Sequence, residues 1–358
     1  MRGEIIIRNK KLINYINKDE IKHLAIIGLA KNAGKTVTLN NLVKEAVNEG
    51  LNLALISYGR DGEDIDAITL QEKPRIYIPP NTVFVTAQNA YLKSDLVAEI
   101  VAKTGINSLM GEVIIYRSGH QGGYIELVGI NSSSGVKKIK ENMPKNLDLI
   151  LIDGALDRRS SAMPELTEAF IVATGAVVAN TEDLVIKKSL HEIRRLTLPK
   201  VKKDFLEEKS LEVIKKAKDG ILYKDGHIEY LNSKTSFGHI QEIGKKDNKD
   251  ISALIISGAL IDSFVEKLLY NLELEDINLI VRDGTRVFVN KRNLNLLEKS
   301  NIKLQVLNNL NLIAVTVNPT SPYSPGLDSA KLVNGLKNRL SDVPVYDILS
   351  EKYQSIER

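Results

Sequence analysis

The residues best suited to chemistry are two glycines, a lysine and a threonine in the segment LAIIGLAKNAGKT, residues 24–36. An apolar run, a turn and a helical pattern follow one another there, so the N–H groups of the turn and the N-terminus of the helix would face one anion. Gly34 lets the main chain approach a phosphate, Lys35 brings a positive charge to the β and γ oxygens, and Thr36 offers a hydroxyl to Mg²⁺. The segment therefore predicts a loop that binds the phosphates of a nucleotide.

The glycine loop, by which we mean residues 28–36, has an unusual length. Five residues separate Gly28 from Gly34, which is one more than in the commonest phosphate-binding pattern. The alternative is an ordinary strand-to-helix turn that contains glycine and a surface lysine. The strand, the turn and the helix all occur where the phosphate mechanism needs them, which favours the first interpretation. The predicted nucleotide contacts of the loop are Gly28, Lys31, Asn32, Ala33, Gly34, Lys35, Thr36 and Val37.

The segment DLILIDGA, residues 148–155, predicts a buried strand that ends on Asp153. A carboxylate at the end of an apolar strand is costly unless it binds a metal ion or accepts hydrogen bonds. We predict that Asp153 binds Mg²⁺ together with Thr36. The alternative is a structural aspartate whose carboxylate only accepts hydrogen bonds from its own chain.

A second acidic segment, YGRDGEDID at residues 58–66, follows the strand predicted over residues 52–57. We predict that Asp61 binds Mg²⁺ and that Asp61 or Glu63 orders the attacking nucleophile. A segment that moves with the state of the nucleotide is a further possibility. The alternative is an acidic surface turn followed by a helix cap. The predicted catalytic residues are thus Lys35, Asp61, Glu63 and Asp153, and the predicted metal ligands are Thr36, Asp61 and Asp153.

These motifs resemble the P-loop proteins of the dethiobiotin synthetase and cobyric acid synthase class. That class shares the longer loop, and the dethiobiotin family reads acidic-Gly-Ala where this chain has Asp153 followed by Gly-Ala. The family also holds the nucleotide base on a loop like that of Asn318 and Pro319, which follow a predicted strand in LIAVTVNP. The resemblance implies ATP and Mg²⁺ as cofactors and base contacts from Asn318 and Pro319. The alternative for those two residues is a simple strand terminator.

Taken together, the segments around Gly28, Tyr58, Asp153 and Asn318 resemble the P-loop reactivase subunits that accompany lysine 5,6-aminomutase. This resemblance implies an ATP-driven accessory protein that helps release damaged cobalamin from the mutase. Its partner would be the aminomutase or a sister reactivase subunit, and a homodimer is left open. The alternatives are an ATP-dependent ligase of the dethiobiotin synthetase type, which needs a small-molecule pocket in residues 86–135, and a nucleotide-gated binding module.

Composition limits the other classes of function. The chain has 358 residues, of which 43% are hydrophobic and 26% are charged, as in an ordinary globular protein. Its net charge of +4 is too small to indicate a nucleic-acid-binding surface. There is no cysteine, which excludes disulfides and thiolate metal sites. No run approaches the roughly 18 apolar residues of a membrane span, so we expect a cytoplasmic protein that binds neither nucleic acid nor membrane.

Strands that alternate with helices predict an α/β fold with a doubly wound, mostly parallel sheet of the P-loop NTPase type. We expect a nucleotide-binding part over residues 1–198, an inserted α+β segment over 199–250, and a continuation of the same sheet over 251–358. Within the first part, the pattern predicts a helix over residues 94–102 and a hairpin over 112–129.

Overall fold

The computed structural model divides the chain into two compact units, Met1–Lys188 with Leu312–Arg358 and Ser189–Asn311. The residues that the structure describes are 11–18, 20–58, 75–130, 132–154, 166–202, 205–233, 236–245, 250–271, 274, 276–340 and 342–350. None of the helices in these ranges is long and apolar enough to cross a membrane.

The described elements are eighteen strands, ten α-helices and a short 3₁₀ helix, Gly284–Arg286. The strands are β1 (His23–Gly28), β2 (Leu53–Tyr58), β3 (Ile76–Ile78), β4 (Val83–Ala87), β5 (Ala98–Ser108), β6 (Gly111–Ser118), β7 (Gly123–Ile125), β8 (Leu149–Gly154), β9 (Ala169–Gly175), β10 (Gly220–Tyr223), β11 (Ile228–Tyr230), β12 (Ile251–Ile256), β13 (Leu260–Ile261), β14 (Asn278–Asp283), β15 (Val287–Phe288), β16 (Lys303–Asn308), β17 (Leu312–Asn318) and β18 (Val345–Asp347). The helices are α1 (Ile13–Lys18), α2 (Lys35–Asn48), α3 (Gln88–Leu92), α4 (Ser133–Asn142), α5 (Glu182–Leu196), α6 (Phe205–Lys215), α7 (Ser236–Ile243), α8 (Asp262–Asn271), α9 (Lys291–Lys299) and α10 (Ser329–Lys337).

The first unit is α/β and contains a large mixed sheet of nine strands, in the order β18-β17-β9-β1-β8-β2-β4-β6-β5. The strands from β18 to β4 pair in parallel, and β6 and β5 extend the sheet as an antiparallel hairpin. Leu39, Leu42 and Val43 of α2 belong to the same core cluster as residues of β1, β2 and β8. The residues of β2 and β8 are all buried, which is typical of central parallel strands.

The second unit has its own five-stranded sheet, in the order β11-β10-β12-β14-β16. Strands β12, β14 and β16 are parallel, whereas β10 is antiparallel to both β11 and β12. Leu254 and Ile256 pack with α7, α8 and α9 in one core cluster, and Ala253 and Ile255 pack with α6 in another. Because successive side chains of a strand point to opposite faces, the sheet lies between two layers of helices.

The membership of the two sheets differs from the prediction. The expected continuation of the first sheet over residues 251–358 holds only for β17 and β18, because β12, β14 and β16 pair in the second sheet. The segment expected as an insertion, residues 199–250, contributes β10 and β11 to that second sheet. An apolar run of five or six residues indicates a strand but not its neighbours. Here the short connections through α8 and α9 let β12, β14 and β16 pair with one another in chain order.

Residues 94–102 and 112–129 also differ from the prediction. The expected helix is replaced by the start of β5, and β6 forms its hairpin with β5, while β7 pairs with β3. At the register shift between Lys103 and Ile106, the hydroxyl of Thr104 donates to the carbonyl of Val113 at 2.5 Å. Whether a short segment of mixed propensity forms a helix or a strand depends on whether a neighbouring strand can pair with it.

Glu168 lies just before β9 and holds the start of β1. Its Oε2 accepts hydrogen bonds from the N–H groups of Lys22 at 2.6 Å and His23 at 3.2 Å, and its Oε1 lies 3.1 Å from Nδ1 of His23. Burial alone would raise the pKa of Glu168, but these hydrogen bonds outweigh burial and hold the pKa below its usual value. Burial lowers the pKa of His23 in spite of its hydrogen bond to Glu168.

We expect the chain to lose stability as the pH falls from 7 to 4. The unfolded chain takes up a proton on His23 near pH 6.5 and on Glu168 near pH 4.5, in each case before the folded chain does.

Replacing Glu168 by glutamine should cost about 1 kcal/mol at neutral pH, because it weakens charged hydrogen bonds at a partly exposed site. Urea unfolding at several pH values measures this. A difference between the two proteins that persists unchanged below about pH 4 contradicts the assignment.

Candidate functional site

The candidate site lies where β1, β2 and β8 end and α2 begins. Alternate residues of these strands belong to the core cluster beneath α2, namely Leu24 and Ile26, Leu53 and Leu55, and Leu149 and Leu151. The next positions in the same rows are Gly28, Ser57 and Asp153. Ser57 and Asp153 are direct neighbours in the parallel register of β2 and β8. The carboxyl edge of the sheet therefore carries a glycine, a hydroxyl and a carboxylate on the face that α2 covers.

The glycine loop turns directly into α2. Gly34 is the N-cap of this helix and has a left-handed backbone with φ 95°, and its first turn has no cap from a described side chain. Such an N-terminus presents N–H groups and the positive end of the helix dipole to an anion. At the other end of the loop, the N–H of Leu29 donates to the carbonyl of Ala173 at 2.9 Å. The loop is thus anchored to the sheet at one end and runs into the N-terminus of α2 at the other.

Lys35 and Asp153 form a buried ion pair. The distance between Nζ and Oδ1 is 2.6 Å, and the two side chains are 11% and 1% exposed. Nζ of Lys35 also donates to the carbonyl of Gly154. Charges at this depth are stable only with a partner, so each side chain holds the other in place. Thr36 follows in the first turn of α2 and is half-buried, whereas Val37 is exposed.

The loop that follows β17 lies against the glycine loop. Nδ2 of Asn318 donates to the carbonyl of Asn32 at 3.2 Å, and Nδ2 of Asn32 donates to the hydroxyl of Tyr323 at 3.2 Å. Oδ1 of Asn318 accepts from the N–H and the hydroxyl of Thr320, at 3.1 and 2.8 Å. Asn318 and Pro319, the predicted base contacts, are therefore beside the glycine loop, and the amide of Asn318 already uses both of its ends within the chain.

We compared the chain with known protein families, proteins and structures. No family model, curated protein or solved structure matches the chain. Within the described ranges, no group of three histidine, aspartate or glutamate side chains could hold a metal ion by itself. What the site can do must therefore follow from the chemistry of Lys35, Asp153 and their neighbours.

Asp61 and Glu63, two of the predicted catalytic residues, lie outside the described residues. The strand before them ends at Tyr58, which is paired with Gly154 in the register of β2 and β8. The last described residue before them is thus paired with the residue that follows Asp153.

Four further residues of the site were missed by the sequence analysis. The hydroxyl of Thr38 donates to the carbonyl of Gly34 at 3.0 Å. Since that uses its only hydrogen, the hydroxyl of Thr316 must donate to Thr38, at 2.8 Å. The side chain of Ile348 fills the space beside Gly34 that a Cβ atom would need. The sequence could have indicated Ser57, because it is a polar residue near the end of an apolar strand. Thr316 and Ile348 are far from the loop in sequence, and only the tertiary structure brings them next to it.

Proposed function

We propose that this chain binds ATP with Mg²⁺ at the glycine loop and hydrolyses it or transfers its terminal phosphoryl group. The observation that carries the proposal is the ion pair of Lys35 and Asp153, with 2.6 Å between Nζ and Oδ1, at the start of α2. A lysine at the start of a helix and a carboxylate on a neighbouring strand are the charges that a nucleotide and its metal ion require. The parallel strands around β1 support the further proposal of a doubly wound sheet of the P-loop NTPase type.

The residues present fit a magnesium–nucleotide complex. Mg²⁺ in such sites takes one or two carboxylates, a threonine or serine hydroxyl and phosphate oxygens, and keeps several waters. Asp153 and Thr36 would supply the carboxylate and the hydroxyl. The buried hydroxyl of Ser57 has no hydrogen-bond partner among the described residues, which suits a site that a ligand completes. When bound, the ion neutralises negative charge on the phosphates.

The other residues of the chain would have separate tasks. Lys35 attracts the β and γ phosphates, and the N–H groups at the start of α2 hold the phosphate oxygens. Because the amide of Asn318 joins its own loop to the glycine loop, we propose that it positions the two loops around the nucleotide. We further propose that Asp61 is a ligand of Mg²⁺ and that Asp61 or Glu63 orders the nucleophile.

Replacing Asp153 by asparagine tests the metal assignment. Without Mg²⁺, the variant should bind ATP at least as well as the wild type, because a negative charge beside the phosphates is removed. The increase in affinity that Mg²⁺ gives the wild type should fall by at least about tenfold, because the metal loses its carboxylate ligand. Isothermal titration calorimetry with a non-hydrolysable ATP analogue, with and without Mg²⁺, measures both effects.

Asp283 offers a matched control for this experiment. It is also a strand-end aspartate, 1% exposed, and its Oδ2 lies 3.0 Å from Nε of Arg282. Asp283→Asn should lose stability in the same way but should keep the wild-type response to Mg²⁺. The metal assignment is abandoned if Asp153→Asn also keeps that response.

For the physiological role, we propose a cytoplasmic accessory ATPase that reactivates a cobalamin-dependent aminomutase, acting with the mutase or a sister subunit. This rests on the resemblance of the four sequence segments to the reactivase subunits. The test is ATP-dependent recovery of an inactivated aminomutase when the full accessory set is present. No recovery would remove this role. ADP release stimulated by a small metabolite would favour the ligase instead, and tight ATP binding without ADP would favour a nucleotide-gated module.

A further inference from the structure

Ser57 has a buried hydroxyl for which the described residues provide no hydrogen-bond partner. The residue is fully buried, with 0% exposure, and its Oγ has no hydrogen-bond partner in the part of the chain that the structure describes. A hydroxyl removed from water without a partner opposes folding, so such groups are uncommon in proteins. What distinguishes Ser57 from other such groups is its place beside Asp153, where a bound ligand would provide the missing partner.

The surroundings of Ser57 show where that ligand would be. Ser57 is the register partner of Asp153 on the adjacent strand, and parallel neighbours stand about 4.8 Å apart with side chains on the same face. Both residues follow rows of leucines that pack beneath α2. Oγ of Ser57 is therefore on the same side of the sheet as the carboxylate that meets Lys35 at 2.6 Å.

The main chain of Ser57 is in contact with residues 129 and 130. The N–H of Ile130 donates to the carbonyl of Ser57 at 3.4 Å. Gly129 passes so close that a Cβ atom there would overlap the same carbonyl. The main chain of Ser57 is thus engaged by the 129–130 segment, and only its hydroxyl is left for a ligand.

We propose that Ser57 is a positioning residue for the hydrated magnesium ion of the bound nucleotide. Its Oγ accepts a hydrogen bond from a water on the ion that Asp153 holds. Mg²⁺ keeps several of its waters in nucleotide sites, and such a water is a strong donor. A serine suits this contact because it adds an acceptor without adding charge next to Asp153. The inference rests on the proposed function, since it needs a magnesium–nucleotide complex at the glycine loop.

Three variants test the proposal. Ser57→Ala removes the acceptor, and Ser57→Cys keeps a side chain of similar shape that accepts hydrogen bonds only weakly. Ser210→Ala is the matched control, because Ser210 on α6 in the second unit is also fully buried and its Oγ also lacks a partner among the described residues. All three should fold, since none removes a hydrogen bond between described residues, and thermal unfolding without ligand verifies this.

The measurement is the affinity for a non-hydrolysable ATP analogue as a function of Mg²⁺ concentration. A second titration replaces Mg²⁺ by Mn²⁺, whose binding can be followed by spectroscopy. Ser57→Ala and Ser57→Cys should each need about tenfold more Mg²⁺ for half of the increase in affinity, as is typical when an outer-shell contact to a metal is lost. Their affinity without Mg²⁺ should equal that of the wild type. Ser210→Ala should match the wild type in both measurements.

Three results overturn the proposal. If the wild type responds to Mg²⁺ and Ser57→Ala responds equally, the hydroxyl is not a metal-side contact, although the proposed function stands. If Ser57→Ala weakens the analogue equally with and without Mg²⁺, the hydroxyl contacts the nucleotide and not the ion. A wild-type protein that binds no analogue at all removes the proposed function and this inference together.

Discussion

Replacing Lys35 by alanine is expected to lower the affinity for ATP by at least about tenfold, or about 1.4 kcal/mol. The change removes a charge-assisted contact to the phosphates at the start of α2. It should also lower the free energy of unfolding by about 3–5 kcal/mol, because the carboxylate of Asp153, which is 1% exposed, loses the cation that lies 2.6 Å away. Calorimetric titration with the ATP analogue and urea unfolding measure the two effects.

The loss of stability needs its own control, since a partly unfolded variant would also bind poorly. In Asp153→Asn the buried charge is gone, so adding Lys35→Ala to that variant should cost much less stability than it does in the wild type. Without Mg²⁺, the double variant should still bind the ATP analogue at least about tenfold more weakly than Asp153→Asn alone. Equal affinities for these two proteins would show that Lys35 does not contact the nucleotide.

Replacing Gly34 by alanine is expected to damage both the fold and the site. Gly34 has φ 95°, where a side chain costs about 1–2 kcal/mol. An added Cβ would also overlap Cδ1 of Ile348, and overpacking of this kind typically costs a further 1–3 kcal/mol or so. We expect a loss of about 2–5 kcal/mol in the free energy of unfolding, together with a loss of ATP binding, because the main chain must move where it should meet the phosphates.

Gly50 provides the matched control, because it has φ 73° at the other end of α2 and nothing lies within 4 Å of the position of its Cβ. Gly50→Ala should therefore show only the backbone strain of about 1–2 kcal/mol and should bind ATP as the wild type does. Adding Ile348→Ala to the Gly34→Ala variant removes the side chain that the new Cβ would overlap, so the double variant should recover part of the lost stability. Equal losses for the two glycine variants would rule out the contact with Ile348 as the cause.

The glycine loop and Asp153 were accessible to prediction because local sequence encodes them. An apolar run, a turn with glycine and a helical pattern are contiguous at residues 24–48, and the structure contains β1 and α2 at either side of the loop. Asp153 stands at the end of its own apolar run. Such features depend on residues a few positions apart, where periodicity and turn chemistry are reliable guides.

Strand pairing and tertiary contacts could not be predicted from local sequence in the same way. Residues 94–102 carry a pattern that fits a helix, yet they start β5 because β6 offers a partner for hydrogen bonds. The hydrogen bonds of the Asn318 amide with Asn32 and Thr320 were likewise not predicted. Each outcome depends on a partner that no short window of sequence contains.

By itself, the sequence determined the α/β class, the strand and helix around the glycine loop, and a carboxylate at the end of β8. Only the tertiary structure decided that Lys35 meets Asp153, that Ser57 stands beside them, and that β12, β14 and β16 form a second sheet. The physical reason is that parallel pairing joins segments far apart in the chain. An apolar strand is compatible with many neighbours, so the choice among them is made by the packing of the whole unit.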